Sequence, residues 1–370
     1  MLRRAHEGEE NPINPTTRSN GRYSQRRGMK YVWGILAVCV ITLMAVTIRP
    51  DVCALTAHIV VLAPWANIIA LRGWLVIVFG VLGLLCAILA AIRWAVCRKG
   101  RIAVGLAVIL GGCALAHGVL IGARGIANPG QLPLDTGITA SGQGTGAITV
   151  LSYNTQGGRI DVTALREVVK ENGVDLLVLP ETSTKRGKEI NAALAEAGME
   201  FQQFDTATDQ YQPDFRSTVV LVSAALGQYT HVDSGLPQES AVRIVPVNGS
   251  GPTIYAVHTF APSPATIDIW RSHIRQVYAL CDQPGPYIIA GDFNSTKDHE
   301  LAVGANCFDA MAEAGSAGLG TWPSTLPPLL GAPIDRVLHD DSYQGVAATL
   351  IGVGESDHRG IIVRLEPRSQ

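Results

Sequence analysis

The pattern of apolar and polar residues divides the chain near residue 122. Before that point, four long apolar runs carry few charges, over residues 31–47, 54–71, 74–92 and 102–121. A helix needs ~20 mostly apolar residues to cross a membrane. The first, third and fourth runs meet this requirement. The second run is weaker, because Pro64 and polar residues such as His58 and Asn67 interrupt it.

Basic residues predict the orientation of these runs. The tail before residue 31 carries seven Lys and Arg residues, and the short loop 93–101 carries four. Because basic segments of this kind stay in the cytoplasm, an even number of crossings must separate them. The pattern therefore favours two crossings between the tail and the loop, over 31–47 and 74–92, with residues 54–71 interfacial or re-entrant. The last run, 102–121, follows the loop and makes a third crossing. The C-terminal domain then lies outside the cytoplasm, whereas the alternative of four crossings would place it inside.

The remaining segments follow from composition. Residues 1–30, rich in Asn, Pro, Ser, Arg and Gly, are predicted to form a disordered cytoplasmic tail. We find no cleavable signal peptide, because the first apolar run follows this tail without a clear small-residue cleavage site. Residues 31–122 form the predicted transmembrane region, 123–146 a flexible linker rich in Gly, Pro, Ser and Thr, and 147–366 a globular domain.

Within this domain, short runs rich in β-branched residues alternate with amphipathic helical patterns. We predict strands over 147–153, 174–179, 217–222, 241–247, 253–258, 287–290, 334–338, 346–353 and 360–365. We predict helices over 162–172, 188–197, 266–280, 298–303 and 309–314. Early strand–helix–strand units followed by antiparallel pairs indicate a mixed α/β domain.

Polar residues lie at or near the ends of many of these strands. Asn154, Glu181, His258, Asp292 and Asn294 end or follow a strand, Asp335 comes directly after Ile334, and Asp357 and His358 precede the last strand. Each has an ordinary structural explanation when taken alone, such as a turn, a cap or a buried histidine. Because strand ends converge at one edge of an α/β sheet, their recurrence predicts a shared site. The oxygens of Asn, Glu and Asp suit Mg²⁺, with Mn²⁺ as an alternative, better than Zn²⁺.

Such a site suits the hydrolysis of a phosphate ester. A dication neutralises the phosphate, a carboxylate positions and deprotonates water, and an imidazolium binds the phosphoryl oxygens or the leaving group.

The distribution of charge along the chain narrows the choice of substrate. Residues 1–146 carry a net charge of +9 and residues 147–370 a net charge of −11, which sum to −2. The acidic domain lacks the broad positive surface expected of a tight DNA-duplex binder.

Two of the seven cysteines, Cys281 and Cys307, lie in the acidic domain. They lack the spacing of a metal site. They form either a disulfide or two buried free thiols, and placement outside the cytoplasm favours the disulfide.

Six motifs, LSYNTQGG, DLLVLPET, YAVHTFAPSP, IIAGDFNST, IDRVL and SDHRGIIVRL, together resemble the endonuclease/exonuclease/phosphatase superfamily. This superfamily includes pancreatic-type deoxyribonucleases, abasic-site endonucleases, neutral sphingomyelinases and inositol-phosphate phosphatases. The resemblance covers residues 147–366, and its most specific part is GDFN together with the terminal SDH. It implies a four-layer α/β sandwich, two packed mixed β-sheets flanked by helices, here preceded by an N-terminal transmembrane helical region.

The resemblance also implies roles for single residues. Asn154, Glu181 and Asp357 would form the metal site, with Glu181 a direct ligand. Asp292 would orient or deprotonate the attacking water. Asn294 would fix the phosphate or that aspartate.

Two histidines complete the implied site. His258 would contact the phosphate, and His358 would bind a phosphoryl oxygen while Asp335 orients its ring. Glu239, in QESAVRI, occupies a place comparable to the glutamate that supports the first histidine in the deoxyribonuclease branch. Pro180 departs from the family, which often has Gln before the metal-binding Glu, but a proline fits at a strand end.

The sequence thus predicts a multi-pass membrane protein whose extracytoplasmic domain is a Mg²⁺-dependent hydrolase of phosphodiesters or phosphomonoesters. Three substrate classes remain open: phospholipid head groups, nucleic acid and small phosphate esters. Trp322, among prolines, is either a platform facing the substrate or a buried pin of a rigid loop. The alternative function is a catalytically idle, membrane-tethered binding or scaffold domain of the same fold.

Overall fold

The computed structural model describes residues 46–133, 146–206, 213–237 and 241–368, with a few helical positions between 35 and 44. Twelve strands among these residues form two sheets. The first sheet has the order β11-β12-β1-β2-β4-β3, and the second has the order β5-β6-β7-β8-β10-β9. The first six strands are β1 (Ile148–Ser152), β2 (Leu176–Pro180), β3 (Phe201–Asp205), β4 (Thr218–Ser223), β5 (Tyr229–Val232) and β6 (Ala241–Pro246). The others are β7 (Thr253–His258), β8 (Tyr287–Asp292), β9 (Phe308–Asp309), β10 (Asp335–His339), β11 (Tyr343–Ile351) and β12 (Gly360–Pro367).

Ten α-helices accompany the sheets in the described residues. The N-terminal ones are α1 (Ala54–Val60), α2 (Trp65–Ala70), α3 (Arg72–Cys97) and α4 (Arg101–Ala123). Those of the domain are α5 (Val162–Asn172), α6 (Thr184–Glu196), α7 (Pro213–Arg216), α8 (Ile267–Tyr278), α9 (Lys297–Ala302) and α10 (Ala310–Glu313).

The two sheets pack face to face over a core of small and branched apolar side chains, such as Val150 and Val178 from the first sheet and Ile254 and Ala290 from the second. Leu165 of α5 and Ile190 of α6 cover the outer face of the first sheet. Helix α8 covers the outer face of the second with Trp270 and its neighbours. The predicted four-layer α/β sandwich is therefore confirmed.

Each sheet has one parallel pair near its centre, β1 with β2 and β7 with β8, and its other pairs are antiparallel. A crossover helix follows the first strand of each parallel pair, α5 after β1 and α8 after β7. The Asp161 carboxylate, just before α5, caps the first turn of the helix. Gly173, just after it, adopts the left-handed conformation that ends the helix. The carboxyl ends of both parallel pairs are thereby left open.

Helices α3 and α4 form a hairpin, and among the described residues they are the two that could cross a membrane by length and composition. Most of their apolar side chains are not covered by protein; Val96 is 76% exposed and Val108 69%. They contain the predicted spans 74–92 and 102–121. Most of the predicted span 31–47 lies outside the described residues.

The weak apolar run 54–71 packs on the domain. It forms α1 and α2, and its residues Val61 and Ala66 are buried in the same cluster as Trp270 of α8. His299 Nε2 donates to the carbonyl oxygen of Ala66 at 3.1 Å. The polar residues that weakened this run as a span thus belong to a segment bound to protein.

The segment after α4, which the sequence predicted to begin a flexible linker, contacts the domain over residues 124–133. The backbone N–H of Ala127 donates to Gly315 at 2.9 Å, and Asn128 Oδ1 accepts from the Leu350 N–H at 3.0 Å. Leu132 is buried. Residues 134–145 lie outside the described part of the chain.

Cys281 and Cys307 form a disulfide, with their Cα atoms 5.6 Å apart. The bond joins the 3₁₀ turn that follows α8 to the residue before β9, across 26 positions of sequence. A bridge that closes a loop of this size typically stabilises a fold by about 3 kcal/mol. The prediction of a disulfide rather than two free thiols is confirmed.

Candidate active site

The second sheet aligns three of the predicted residues in one row. Strands β7, β8 and β10 are neighbours, and their register pairs His258 with Asp292 and Asp292 with Asp335. Gly291, just before Asp292, has φ +142°, and a Cβ there would lie 1.9 Å from the Val257 carbonyl oxygen. Only glycine permits this close approach of β8 to β7. The approach brings the Asp292 carboxylate to the end of the sheet at which β7 and β8 terminate.

Asn154 links the two sheets. It follows β1, is fully buried, and its Nδ2 donates to Glu181 Oε1 and to Asp292 Oδ2, both at 3.0 Å. Its Oδ1 accepts from the Gln156 backbone N–H at 3.0 Å. Asn154 therefore holds two carboxylates from different sheets at a fixed separation.

Glu181 occupies a strained backbone position directly after β2, with φ +53°. Non-glycine residues in this region cost roughly 1 kcal/mol or more and concentrate at functional sites. Burial raises the pKa of Glu181 to about 7; the hydrogen bond from Asn154 opposes this shift, and the charge of Asp292 adds to it. A carboxylate in this environment favours a neighbouring cation.

Asp292 is 1% exposed, and both of its carboxylate oxygens accept hydrogen bonds. Its Oδ1 accepts from the Asn294 backbone N–H at 2.8 Å, and its Oδ2 lies 3.3 Å from Asn294 Nδ2. Asn294 itself has φ +44°, and its Nδ2 also donates to the Thr259 carbonyl oxygen at 2.8 Å. Burial and the charge of Asp335 raise the pKa of Asp292.

His358 and Asp335 form a buried pair. His358 Nδ1 donates to Asp335 Oδ2 at 2.8 Å, and its Nε2 lies 3.7 Å from Asp292 Oδ2. Burial opposes protonation of the ring, but the two carboxylates raise the pKa of His358 to about 10. The ring is therefore an imidazolium near neutral pH, as its predicted phosphate-binding role requires.

His258 has the opposite character. Its Nε2 lies 3.7 Å from Glu181 Oε1 and 3.9 Å from Asp292 Oδ2. Burial lowers the pKa of His258; Asp292 opposes this shift and the charged His358 ring adds to it. The surroundings thus shift the pKa values of the two histidines in opposite directions, which is how sites assign acid and base roles. Glu239, the predicted support of His258, lies outside the described residues.

Asp357 also lines the cavity, and the side chains of Trp322 and Gln156 hold it in place. Its Oδ2 accepts from Trp322 Nε1 at 3.0 Å, and its backbone N–H donates to Gln156 Oε1 at 3.1 Å. Trp322 is 37% exposed and faces the cavity, so it is not a buried pin of its loop. The Arg359 guanidinium fixes that loop by donating to carbonyl oxygens, among them that of Ser324 at 2.6 Å.

These residues surround a cavity of about 380 Å³. Its polar residues include Glu181, Asp292, Asn294, His258, Asp357 and His358, whereas Asn154 and Asp335 support them from behind. Sequence reasoning did not foresee that α2 also lines the cavity, through Asn67 and Ala70, or that Phe215 and Arg216 do so. For α2, the polar residues that interrupt run 54–71 were the only feature of the sequence that indicated a contact with the domain.

A sequence model of the Endonuclease/Exonuclease/phosphatase family matches residues 151–358, more than half of the chain. The chain belongs to this family. Among solved structures it is similar to humanized D. rerio TDP2 with 14 mutations, at 15% identity and a TM-score of 0.47 over 60% of this chain and 99% of that one. It is also similar to the endonuclease/exonuclease/phosphatase from Beutenbergia cavernae DSM 12333, at 18% identity and a TM-score of 0.46 over 60% and 72%. No curated protein matches the chain.

Enzymes of the Endonuclease/Exonuclease/phosphatase family generally use divalent metals, and the donor set here fits one. Glu181 and Asp357 offer carboxylate oxygens to the cavity, and the carboxylates around it outnumber the one imidazolium. The oxygens and nitrogens of Asp292, Asp335 and His358 also approach within 4.8 Å of one another. Within that trio His358 Nδ1 already donates to Asp335 Oδ2, so two of the three groups are paired with each other.

Proposed function

We propose that the chain is a divalent-metal-dependent hydrolase of phosphate esters. The observation that carries this proposal is the Asn154 amide, which donates to both Glu181 and Asp292, while His258 Nε2 and His358 Nε2 lie 3.9 and 3.7 Å from Asp292 Oδ2. Carboxylates and histidines with shifted pKa values that meet in one cavity are typical of enzyme active sites. The idle-scaffold alternative is therefore disfavoured.

The residues divide the reaction among them. Asp292, fixed by Asn154 and Asn294, orients a water and accepts its proton at a carboxylate oxygen. The His358 imidazolium donates to a non-bridging phosphoryl oxygen, and Asp335 keeps its ring in place. His258 contacts the phosphate. The water oxygen bonds to phosphorus, the P–O bond to the ester oxygen breaks, and the leaving oxygen takes up a proton from solvent where its basicity requires one. Mg²⁺ held by Glu181 and Asp357 would neutralise phosphate charge.

Metal removal should abolish turnover. We expect the purified full-length chain to hydrolyse bis-p-nitrophenyl phosphate or p-nitrophenyl phosphate with Mg²⁺ or Mn²⁺. Chelation should lower the rate at least about 100-fold, because the phosphate charge is then left without its main counter-charge. Release of p-nitrophenol is the measurement, and added Mg²⁺ should restore it. Turnover of either ester that survives exhaustive chelation would contradict a metal-dependent mechanism.

We also propose that α3 and α4 cross a membrane and that the domain lies outside the cytoplasm. Both ends of this hairpin meet the domain at one residue, since Arg72 and Arg124 each bind Asp298. The opposite end of the hairpin carries the basic loop 93–101. If the loop is cytoplasmic, the domain is on the other side. The Cys281–Cys307 disulfide supports this placement, because disulfides persist in oxidising compartments.

This sidedness predicts the redox state of the cysteines in cells. After acid quenching and denaturation of cells that express the chain, a first alkylating label should reach Cys97 but not Cys281 or Cys307. A second label, added after reduction, should then reach Cys281 and Cys307, as read by mass spectrometry of their peptides. Cys97 is the internal control, because it is a free thiol in the structure. First-label modification of Cys281 and Cys307 would argue for a domain in the cytoplasm.

A further inference from the structure

The active-site cavity is polar at its floor and apolar along one wall. Glu181, Asp292 and the histidines form the floor. The apolar wall is formed by Ala70, Leu71, Phe215, Phe260, Pro262 and Ile334. Phe215 is 48% exposed, and Leu71 is half-buried. The floor has the chemistry for a phosphate group, whereas the side chains of the apolar wall are poorly solvated by water, although Asn67 and Arg216 also line the cavity.

Part of this apolar wall comes from the N-terminal segment and is held firmly. Asn67 Nδ2 donates to the Pro262 carbonyl oxygen at 2.9 Å, which joins α2 to the loop after β7. Ala66 and Ile69, on the inner side of α2, are at most 1% exposed. The apolar wall is therefore a built part of the cavity.

The apolar wall also adjoins the hairpin. Leu71 is the residue immediately before α3, and Arg72 begins that helix. The far end of α4 returns to the same place, where Arg124 pairs with Asp298 at 2.7 Å. Side chains along the hairpin, such as Leu84 at 62% exposed, are not covered by protein. The exposed apolar residues Trp74 and Ile77 follow Leu71 closely along the chain, at 40% and 41% exposed, so the apolar wall and the apolar surface of the hairpin adjoin in sequence.

We propose that the substrate is an amphiphile: a phosphate ester whose phosphate occupies the polar floor and whose apolar chain lies on Leu71 and Phe215 and continues toward the hairpin. This inference rests on the proposed function. A nucleic acid fits less well, because the domain carries a net −11 over residues 147–370. A small soluble ester has no group that would cover the apolar wall.

Chain length at constant chemistry tests the inference. The full-length chain in detergent is assayed on p-nitrophenyl ethyl phosphate and p-nitrophenyl hexyl phosphate, which share the bond that is broken. Each buried methylene contributes roughly a fourfold gain, so partial burial of four should raise kcat/KM for the hexyl ester about tenfold. Leu71→Gln and Phe215→Gln should each reduce this ratio below about threefold, because a polar amide replaces the apolar contact. Val247→Gln is the matched control, because Val247 is 59% exposed and lies outside the cavity lining.

The ratio is taken within each variant, so the fraction of folded enzyme cancels. A ratio near one in the unaltered chain, with ethyl ester turnover that Asp292→Asn abolishes, would overturn the amphiphile and leave the proposed function standing. A tenfold ratio that persists in both Leu71→Gln and Phe215→Gln would overturn the role of the apolar wall. Hydrolysis of neither ester would overturn the amphiphile, and the proposed function would fall with it if bis-p-nitrophenyl phosphate and p-nitrophenyl phosphate also remained intact.

Discussion

Replacing Asp292 by Asn is expected to lower kcat about 1000-fold. The side chain keeps its size but loses the ability to accept a proton from water. It also loses its charge beside His358 Nε2, 3.7 Å from Asp292 Oδ2. The Asn amide would in addition point a donor at Asn154 or Asn294, both of which now donate to this carboxylate. The measurement is p-nitrophenol release at saturating substrate and Mg²⁺.

The matched control is Asp268→Asn, the same chemical change at a side chain that is 82% exposed and pairs with Arg271 across one helical turn. We expect its kcat to stay within twofold of the unaltered chain. Thermal unfolding of both variants separates a catalytic loss from a loss of folding. A folded Asp292→Asn variant that keeps more than about a tenth of the activity would remove Asp292 from the proton-accepting role.

The sequence predicted the central strands well and the edge strands poorly. Strand β7 (Thr253–His258) has the predicted bounds, because a continuous run of apolar residues fills both of its faces. Strands β3 (Phe201–Asp205) and β5 (Tyr229–Val232) were not predicted. They are edge strands whose side chains, apart from the buried Tyr229, are half-buried or exposed, so their sequences lack the apolar signal of a buried strand.

The polar side of the site was also predictable from the sequence. Strand order brings its residues together, and Asn154, Glu181, Asp292 and His358 converge as expected. The structure adds that Asn154 turns its Nδ2 toward the two carboxylates, a detail that depends on the distance between the two sheets. Sequence patterns describe each element alone and do not give such a distance.

The apolar wall could not have been predicted. Asn67 and Pro262 are 195 positions apart, and nothing in either local pattern indicates that they meet. A weak apolar run that fails as a membrane span has two explanations, an interfacial segment or a segment packed on protein. Only tertiary contacts such as that between His299 and Ala66 distinguish them.

The junction between the hairpin and the domain should depend strongly on Asp298. Its side chain is 2% exposed, and it accepts from Arg72 and from both terminal nitrogens of Arg124, at 2.9 and 2.7 Å for Arg124. Although burial raises the pKa of Asp298, the two guanidinium groups lower it below its ordinary value. The carboxylate is thus ionised and balances two largely buried cations.

Asp298→Ala should therefore destabilise the chain by about 3–5 kcal/mol, because removal of one partner leaves buried charges without compensation. We expect the thermal midpoint of the detergent-solubilised chain to fall by about 10 °C. Asp268→Ala is the control, since its exposed pair with Arg271 should contribute little. Protease should also cleave residues 124–133 faster in Asp298→Ala, because Arg124 no longer anchors the start of that segment. Equal midpoints for the two variants would mean that Arg72 and Arg124 find other partners, and that the hairpin is attached to the domain by the apolar contacts of α1 and α2 instead.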